Sequence, residues 1–276
     1  MIGLLEALAF AVLAGFIGSI LGLGGGVILI PVLVYFGVPV KYAIGASMVA
    51  IIATSSGSAS SYVKEGLSNV RAAFFLEVFT APGAIVGAVI TSFVAPTYLY
   101  FFFAIFLSTS FYGLRRRLGN GPPSEVKQDG IARSLKLEGV YFDKTEGKQV
   151  EYKLTRPLLA GPGMFVAGLA AGMLGIGAGA FKTTVQELVM GMPSKVATAT
   201  SNFIFGMTAL AGASIYFSSG LVYLSLAAPL AIGTTVGSLA GTRVLPHVTN
   251  KSVRLLFLAV LIVLIAEMLY EGVSSL

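Results

Sequence analysis

The sequence predicts an all-α membrane protein that crosses the bilayer several times, and three observations support this fold class. Of the 276 residues, 56% are hydrophobic and only 11% are charged, and the mean hydropathy is +0.89. This composition leaves too little polar surface to cover a water-soluble domain. Long apolar segments also recur along the chain, and their order occurs twice.

A glycine cluster at residues 22–26 interrupts the first apolar run, which covers residues 2–21 and resumes at 27–36. The second part is too short to cross a bilayer, because a span needs about 20 helical residues. We therefore expect a hairpin or a broken helix that enters the membrane and returns on one side. No basic leader precedes the first run, so we expect a structural segment and not a cleaved signal peptide.

Three longer apolar segments follow, at residues 42–63, 72–94 and 98–114, and we predict that each is a transmembrane helix. Glycines recur at intervals of four residues, as in the pair Gly83 and Gly87. Spacing of this kind allows the backbones of two membrane helices to approach closely. We therefore expect the glycines to mark helix contacts.

The composition changes between residues 115 and 156, which contain ten of the 18 basic residues. Alternating polar and apolar residues around positions 144–148 predict a small, solvent-exposed β-hairpin. The sequence thus divides into a first membrane repeat (1–114), a polar cytosolic loop (115–156) and a second membrane repeat (157–276). Topology accounts for the basic charge, so we expect no nucleic-acid partner.

The second half repeats the first. Its apolar segments cover residues 158–174, 180–190, 196–217, 221–245 and 253–270. A second glycine cluster, at residues 175–179, occupies the position of the first. Single residues also match, namely Lys41 with Lys195, Ser47 with Ser201, Thr54 with Thr208 and Tyr62 with Tyr216. The pattern indicates a duplication of nearly the whole membrane portion.

Charges in the loops predict that the two repeats are inverted. The loop with Lys64 and Arg71 is basic, whereas its counterpart at residues 218–220 is uncharged. At the next loop the order is reversed: residues 95–97 carry no charge, and the counterpart is basic. The basic residues there are Arg243, Lys251 and Arg254. If basic loops stay in the cytoplasm, three crossings and one hairpin per repeat place the polar loop inside and both termini outside.

Interrupted segments at matched positions of inverted repeats indicate a substrate site near the middle of the membrane. Backbone N–H groups at the start of a helix carry partial positive charge and favour an anion. The candidate residues in the two clusters are Gly24, Gly25, Gly26, Gly177, Ala178 and Gly179. The alternative is that the glycines only permit tight packing or a kink.

Polar side chains near the clusters are further candidates. Lys182 lies in an apolar segment, where an unpaired ammonium costs about 3 kcal/mol or more. It is a candidate cation for an anionic substrate; the alternatives are pairing with Glu187 or reaching the membrane surface. Ser47, Ser201 and Asn202 are candidate hydrogen-bond donors, although such residues also link helices.

Three acidic residues within apolar segments are candidate functional groups, namely Glu77, Glu187 and Glu267. Glu187 and Glu77 are candidates for proton coupling, because ionisable groups in a membrane are usually functional; the alternative is a structural ion pair. The single histidine, His247, follows a proline in a basic loop, and there is no cysteine. We therefore expect no metal site and no cofactor.

The stretches GLGGGVILIPVLVYFGVPVKYAIGAS and GIGAGAFKTTVQELVMGMPSKVATATSN, in duplicated halves joined by a polar loop, resemble the sulfite exporter TauE/SafE family. The resemblance covers the membrane portion. It implies transport of small sulfur-containing or organic anions, such as sulfite, thiosulfate and sulfonates. The second copy departs from the first at Ala178, which replaces a glycine, and at Thr184, which replaces Pro31.

Together these observations predict a secondary transporter that works by alternating access and is not an enzyme. We expect a multi-pass protein of a prokaryotic cell membrane, whose partners are lipid, a small anion and a proton as candidate coupling ion. An anion channel is the main alternative. An intramembrane sensor or enzyme is less favoured, because the chain lacks cysteine and a nucleophile elbow. The sequence leaves self-association open.

Overall fold

The computed structural model describes residues 4–117, 128–144, 147–247 and 250–274. The first half contains α1 (Leu4–Leu21), α2 (Gly26–Tyr35), α3 (Val40–Lys64), α4 (Val70–Phe93) and α5 (Pro96–Arg117). The polar loop contains α6 (Gly130–Ser134), β1 (Glu138–Asp143) and β2 (Lys148–Lys153). The second half contains α7 (Pro157–Leu174), α8 (Gly179–Leu188), α9 (Ser194–Ser218), α10 (Leu224–Val244) and α11 (Asn250–Ser274). A short 3₁₀ turn, Leu245–His247, follows α10. The predicted helical class is confirmed.

Five helices in the described part of the chain are long and apolar enough to cross a membrane: α3, α4, α7, α9 and α10. Helices α2 and α8 have ten residues each, or about 15 Å, and are too short to cross, as predicted. Three crossings after each hairpin would be α3, α4, α5, α9, α10 and α11. The observed set instead includes α7 and lacks α11 and α5, and the apolar part of α5 ends at Thr109. The five long, apolar helices nevertheless identify a multi-pass membrane protein.

The glycine ladders lie where helices pack closely. Helix α4 packs along α7, and α1 packs along α10. A β-carbon added at Gly83 or Gly87 would overlap the backbone of α7, and one at Gly168 or Gly172 would overlap the backbone of α4. A β-carbon at Gly237 would likewise overlap the backbone of α1. The structure thus confirms that these glycines mark helix contacts.

Helices α3 and α9 pack against each other, and each carries a fully buried tyrosine. The Tyr62 hydroxyl donates a hydrogen bond to the Ser19 carbonyl oxygen at 3.1 Å. The Tyr216 hydroxyl donates to the Gly172 carbonyl oxygen at 2.8 Å. These carbonyls lie in the last turns of α1 and α7, where a helix leaves its acceptors unsatisfied. Each tyrosine therefore stabilises the helix end that precedes a glycine cluster.

The predicted β-hairpin is present. Strands β1 and β2 pair antiparallel, with Glu138 opposite Lys153 and Asp143 opposite Lys148. Helix α6 was not predicted, because five residues are too few to show helical periodicity; the Asp129 side chain accepts a hydrogen bond from the Ala132 amide at its start. Helix α5 extends to Arg117, into the predicted loop, and residues 118–127 lie outside the described residues.

The β-hairpin is attached to the start of α9 and α4. Lys195 Nζ lies 2.8 Å from Asp143 Oδ1, and both side chains are almost fully buried. Asn69 Nδ2 donates to the Tyr152 hydroxyl at 3.2 Å. Burial raises the pKa of Tyr152, so this hydroxyl stays protonated. The hairpin is therefore fixed to the membrane helices by buried polar contacts.

Candidate anion site

The two glycine clusters form short loops between helices. Helix α1 ends at Leu21 and α2 begins at Gly26, whereas α7 ends at Leu174 and α8 begins at Gly179. The residue before each short helix has a left-handed backbone, with φ of 79° at Gly25 and 50° at Ala178. This conformation is strained for any residue with a β-carbon, which explains the prevalence of glycine.

The two loops contact each other directly. A β-carbon added at Gly26 would overlap the carbonyl oxygen of Gly175, and one at Gly179 would overlap the carbonyl oxygen of Gly22. These contacts are reciprocal, because Gly26 matches Gly179 in the repeat and Gly22 matches Gly175. All residues of both loops are buried. The structure thus brings the predicted glycine candidates together.

The short helices begin without side-chain caps. No side chain caps the N-terminus of α2 or α8. Within the described part of the chain, the backbone N–H groups of residues 24–26 and 177–179 donate no hydrogen bond to the protein. A buried N–H group without an acceptor costs about 1–3 kcal/mol. The loops therefore present donors that an anion would satisfy.

A phenylalanine ring lies against both loops. Phe205, on α9, is fully buried and is the nearest side chain to the β-carbon positions of Gly24 and Gly177, and it also adjoins Gly179. The Lys182 ammonium lies 5.2 Å from the centroid of this ring. Sequence reasoning missed Phe205, because its matched residue, Ile51, is also apolar and gives no sign of a special role.

Lys182 is fully buried and takes part in a chain of polar contacts. Its Nζ donates to Thr208 Oγ1 at 2.9 Å. The same hydroxyl oxygen lies 2.9 Å from Glu77 Oε2, and the Thr80 hydroxyl donates to that carboxylate oxygen at 2.6 Å. One threonine hydroxyl therefore links the ammonium to a carboxylate on another helix. Glu77 is therefore the acidic residue that these contacts connect to Lys182.

The other candidate acids lie elsewhere. Glu187 is buried on α8, and Glu267 is partly exposed on α11, which packs mainly on α5. His247 is exposed, with Nδ1 3.0 Å from the Arg243 carbonyl oxygen. Among the described residues, no group of three histidine, cysteine or acidic side chains could hold a metal ion.

The Asn202 side chain forms hydrogen bonds within the protein. Its Nδ2 donates to the carbonyl oxygens of Ser19 and Thr198 at 3.2 and 3.0 Å, and its Oδ1 accepts from the Ser58 hydroxyl at 3.1 Å. The side chain therefore links α1, α3 and α9. This arrangement matches the helix-linking alternative for the polar side chains near the clusters.

The two matched serines have different surroundings. Ser201 Oγ accepts a hydrogen bond from Gln186 Nε2 at 3.1 Å. Ser47 Oγ is fully buried and has no hydrogen-bond partner among the described residues. The residue that matches Gln186 in the first repeat is Leu33, which offers no polar group. The second repeat therefore supplies polar chemistry where the first has aliphatic side chains.

Gln186 itself was missed by sequence reasoning. It lies one helical turn after Lys182, and both side chains are fully buried on one face of α8. The matching residues on α2 are Leu29 and Leu33. Two polar residues four positions apart, where the other repeat has leucines, are the signal that could have identified the pair.

The helices define a multi-pass membrane protein in which two contacting loops lie near a buried cation. The chain is matched over residues 7–268 by the model of the family described as Sulfite exporter TauE/SafE. The protein belongs to this family, so the resemblance noted from the glycine segments is confirmed.

Two bacterial relatives are similar along almost their whole length. The probable membrane transporter protein YunE of Bacillus subtilis is 27% identical over 271 residues, which cover 95% of this chain and 96% of the relative. The probable membrane transporter protein YdhB of the same organism is 24% identical over 257 residues, with 91% and 94% covered. No solved structure matches the chain significantly.

Proposed function

We propose that the protein is a secondary transporter for small sulfur-containing or organic anions, such as sulfite, thiosulfate and sulfonates, in the cell membrane of a prokaryote. The observation that carries this proposal is the position of Lys182, a fully buried cation beside two contacting loops with unbonded amides. Cation and amides would together replace the hydration of an oxyanion. The chemistry needed is binding and release, without a catalytic step.

The substrate path requires the loops to separate. In the structure Phe205 fills the space beside both loops, and the polar groups around Lys182 are buried. Entry of an anion therefore needs a movement of Phe205 and of the short helices. In alternating access, one repeat or bundle rocks against the other so that the site opens to one side at a time.

Proton coupling follows from the link between Lys182 and Glu77. The ammonium and the carboxylate interact through Thr208 and through space. An anion that binds Lys182 takes over part of this interaction, so the buried carboxylate loses its compensating charge. A buried carboxylate without such a partner favours protonation. Binding of the anion and uptake of a proton would then be coupled, with Glu77 preferred over Glu187 as the acceptor.

We further propose that the repeats at 1–114 and 157–276 are inverted, with the 115–156 loop in the cytoplasm. The reciprocal contacts of the two loops support a twofold relation, the equivalent tyrosine contacts support the likeness of the repeats, and the exchanged loop charges support inversion. A reporter enzyme that is active only outside the cytoplasm, fused after residue 276, is therefore expected to be active. A cytoplasmic reporter at this position would contradict the inverted arrangement.

Transport itself is tested with purified protein in proteoliposomes. We expect uptake of radiolabelled sulfite, thiosulfate or a sulfonate that saturates with concentration and changes when a pH gradient is imposed. Flux that does not change with the pH gradient and does not saturate with anion concentration would indicate a channel. If none of these anions moves under any gradient, the transporter proposal fails.

A further inference from the structure

Only one of the two polar atoms of the Gln186 amide has a hydrogen-bond partner among the described residues. Its Nε2 donates to Ser201 Oγ at 3.1 Å, whereas its Oε1 has no hydrogen-bond partner among the described residues, although the side chain is fully buried. A buried polar atom without a partner is costly, and native proteins rarely keep one without a reason. A substrate with a hydrogen-bond donor would supply the missing partner.

The free oxygen and the cation belong to side chains that lie one helical turn apart. Lys182 and Gln186 are separated by four residues on α8, so their β-carbons are about 5–6 Å apart. Lys182 Nζ makes one hydrogen bond, to Thr208, within the described part of the chain. An ammonium has three donors, so two remain for a ligand. One face of α8 thus offers two donors and, one turn away, a free acceptor.

The contacts of these two side chains indicate the polar groups that a ligand would need. Lys182 contacts Thr208 and Gln186 contacts Ser201, and these α9 residues are seven positions apart, or about 10 Å along the helix. A ligand that uses both groups must accept a hydrogen bond from Lys182 Nζ and donate one to Gln186 Oε1, and a fully deprotonated inorganic oxyanion has no donor. An organic anion with a hydroxyl group at its far end has both an acceptor and a donor.

We propose that Gln186 determines specificity, and that the site takes an organic monoanion whose acidic group binds Lys182 and whose hydroxyl group donates to Gln186 Oε1. This inference depends on the proposed transport function and narrows its substrate class. Ser201 is the positioning residue, because its hydroxyl oxygen holds the other end of the amide. The first repeat has no equivalent pair, since Leu29 and Leu33 occupy the matching positions.

The test compares ethanesulfonate with hydroxyethanesulfonate, which differ only by the terminal hydroxyl, in competition with each other for uptake into proteoliposomes. We expect the wild-type protein to favour the hydroxyl-bearing anion by about tenfold, because the analogue leaves the buried oxygen unpaired. In Gln186→Leu, which copies the residue at position 33, the ratio of hydroxyethanesulfonate uptake to ethanesulfonate uptake should fall to about one, whatever the absolute rate.

Folding of the variants is checked by size-exclusion chromatography. Gln186→Met is the second variant, which keeps the side-chain length and removes the acceptor, and Leu33→Met is the matched control in the first repeat. Equal uptake of the two sulfonates by the wild type, or a preference that survives in both Gln186 variants, would overturn the inference. Uptake of sulfite without uptake of either sulfonate would also overturn it, while leaving the proposed function intact.

Discussion

Alanine at Gly26 or Gly179 is expected to abolish the production of folded protein. In each case the new β-carbon would overlap a backbone carbonyl oxygen of the opposite loop, at Gly175 or Gly22. Backbone cannot move away as a flexible side chain can, so the two loops would have to separate. We expect little monodisperse protein after extraction, measured by size-exclusion chromatography.

Gly130→Ala is the matched control for these variants, because no atom lies within 4 Å of its added β-carbon. Gly25→Ala should have an intermediate effect: its φ of 79° strains an alanine, but the nearest atom, the Ala14 carbonyl oxygen, is 3.2 Å away. We expect this variant to lose more anion binding than folded protein. Normal yield and stability of Gly26→Ala and Gly179→Ala would show that the loops do not pack as described.

Removal of either charge from the Lys182 and Glu77 pair is expected to destabilise the protein strongly. Both side chains are buried, and Thr208 connects them. Breaking a buried pair leaves one uncompensated charge, at a cost of about 3–5 kcal/mol. Lys182→Gln and Glu77→Gln should therefore each lower the Tm of the detergent-solubilised protein.

The double variant Lys182→Gln/Glu77→Gln distinguishes charge from packing. Because it removes both charges and keeps hydrogen-bonding side chains, we expect its Tm to return close to the wild-type value. Leu29→Gln, at the position that matches Lys182, is a control for a glutamine in the other short helix. Single variants as stable as the wild type would contradict the pairing.

Periodicity and repetition were sufficient to predict most of the fold. The glycine clusters, the short helices α2 and α8, and the close contacts at Gly83 and Gly87 follow from the spacing of apolar and small residues. The duplication also anticipated that the two loops belong together. The β-hairpin was predicted from alternation, but its attachment was not, since Asp143 and Lys195 are 52 positions apart.

The link between Lys182 and Glu77 could not be predicted, because Glu77 lies on a helix that is distant in sequence from α8 and α9. Glu77 lies 131 positions from Thr208, whereas local spacing offered only Glu187, as an alternative partner of Lys182. Phe205 reaches the loops only through the packing of α9. Gln186 gave a signal by comparison with Leu33, but its free oxygen is visible only in the structure.

The most direct test of the central claim, that Lys182 binds the transported anion, is uptake by the folded double variant Lys182→Gln/Glu77→Gln. Proteoliposomes with equal amounts of this variant and of the wild type are compared for radiolabelled sulfite, thiosulfate and hydroxyethanesulfonate. We expect the anion that the wild type accumulates to be taken up at least about tenfold more slowly by the variant, since a hydrogen bond to a charged group contributes about 1.5–3 kcal/mol. Uptake at the wild-type rate by the folded double variant would contradict the account.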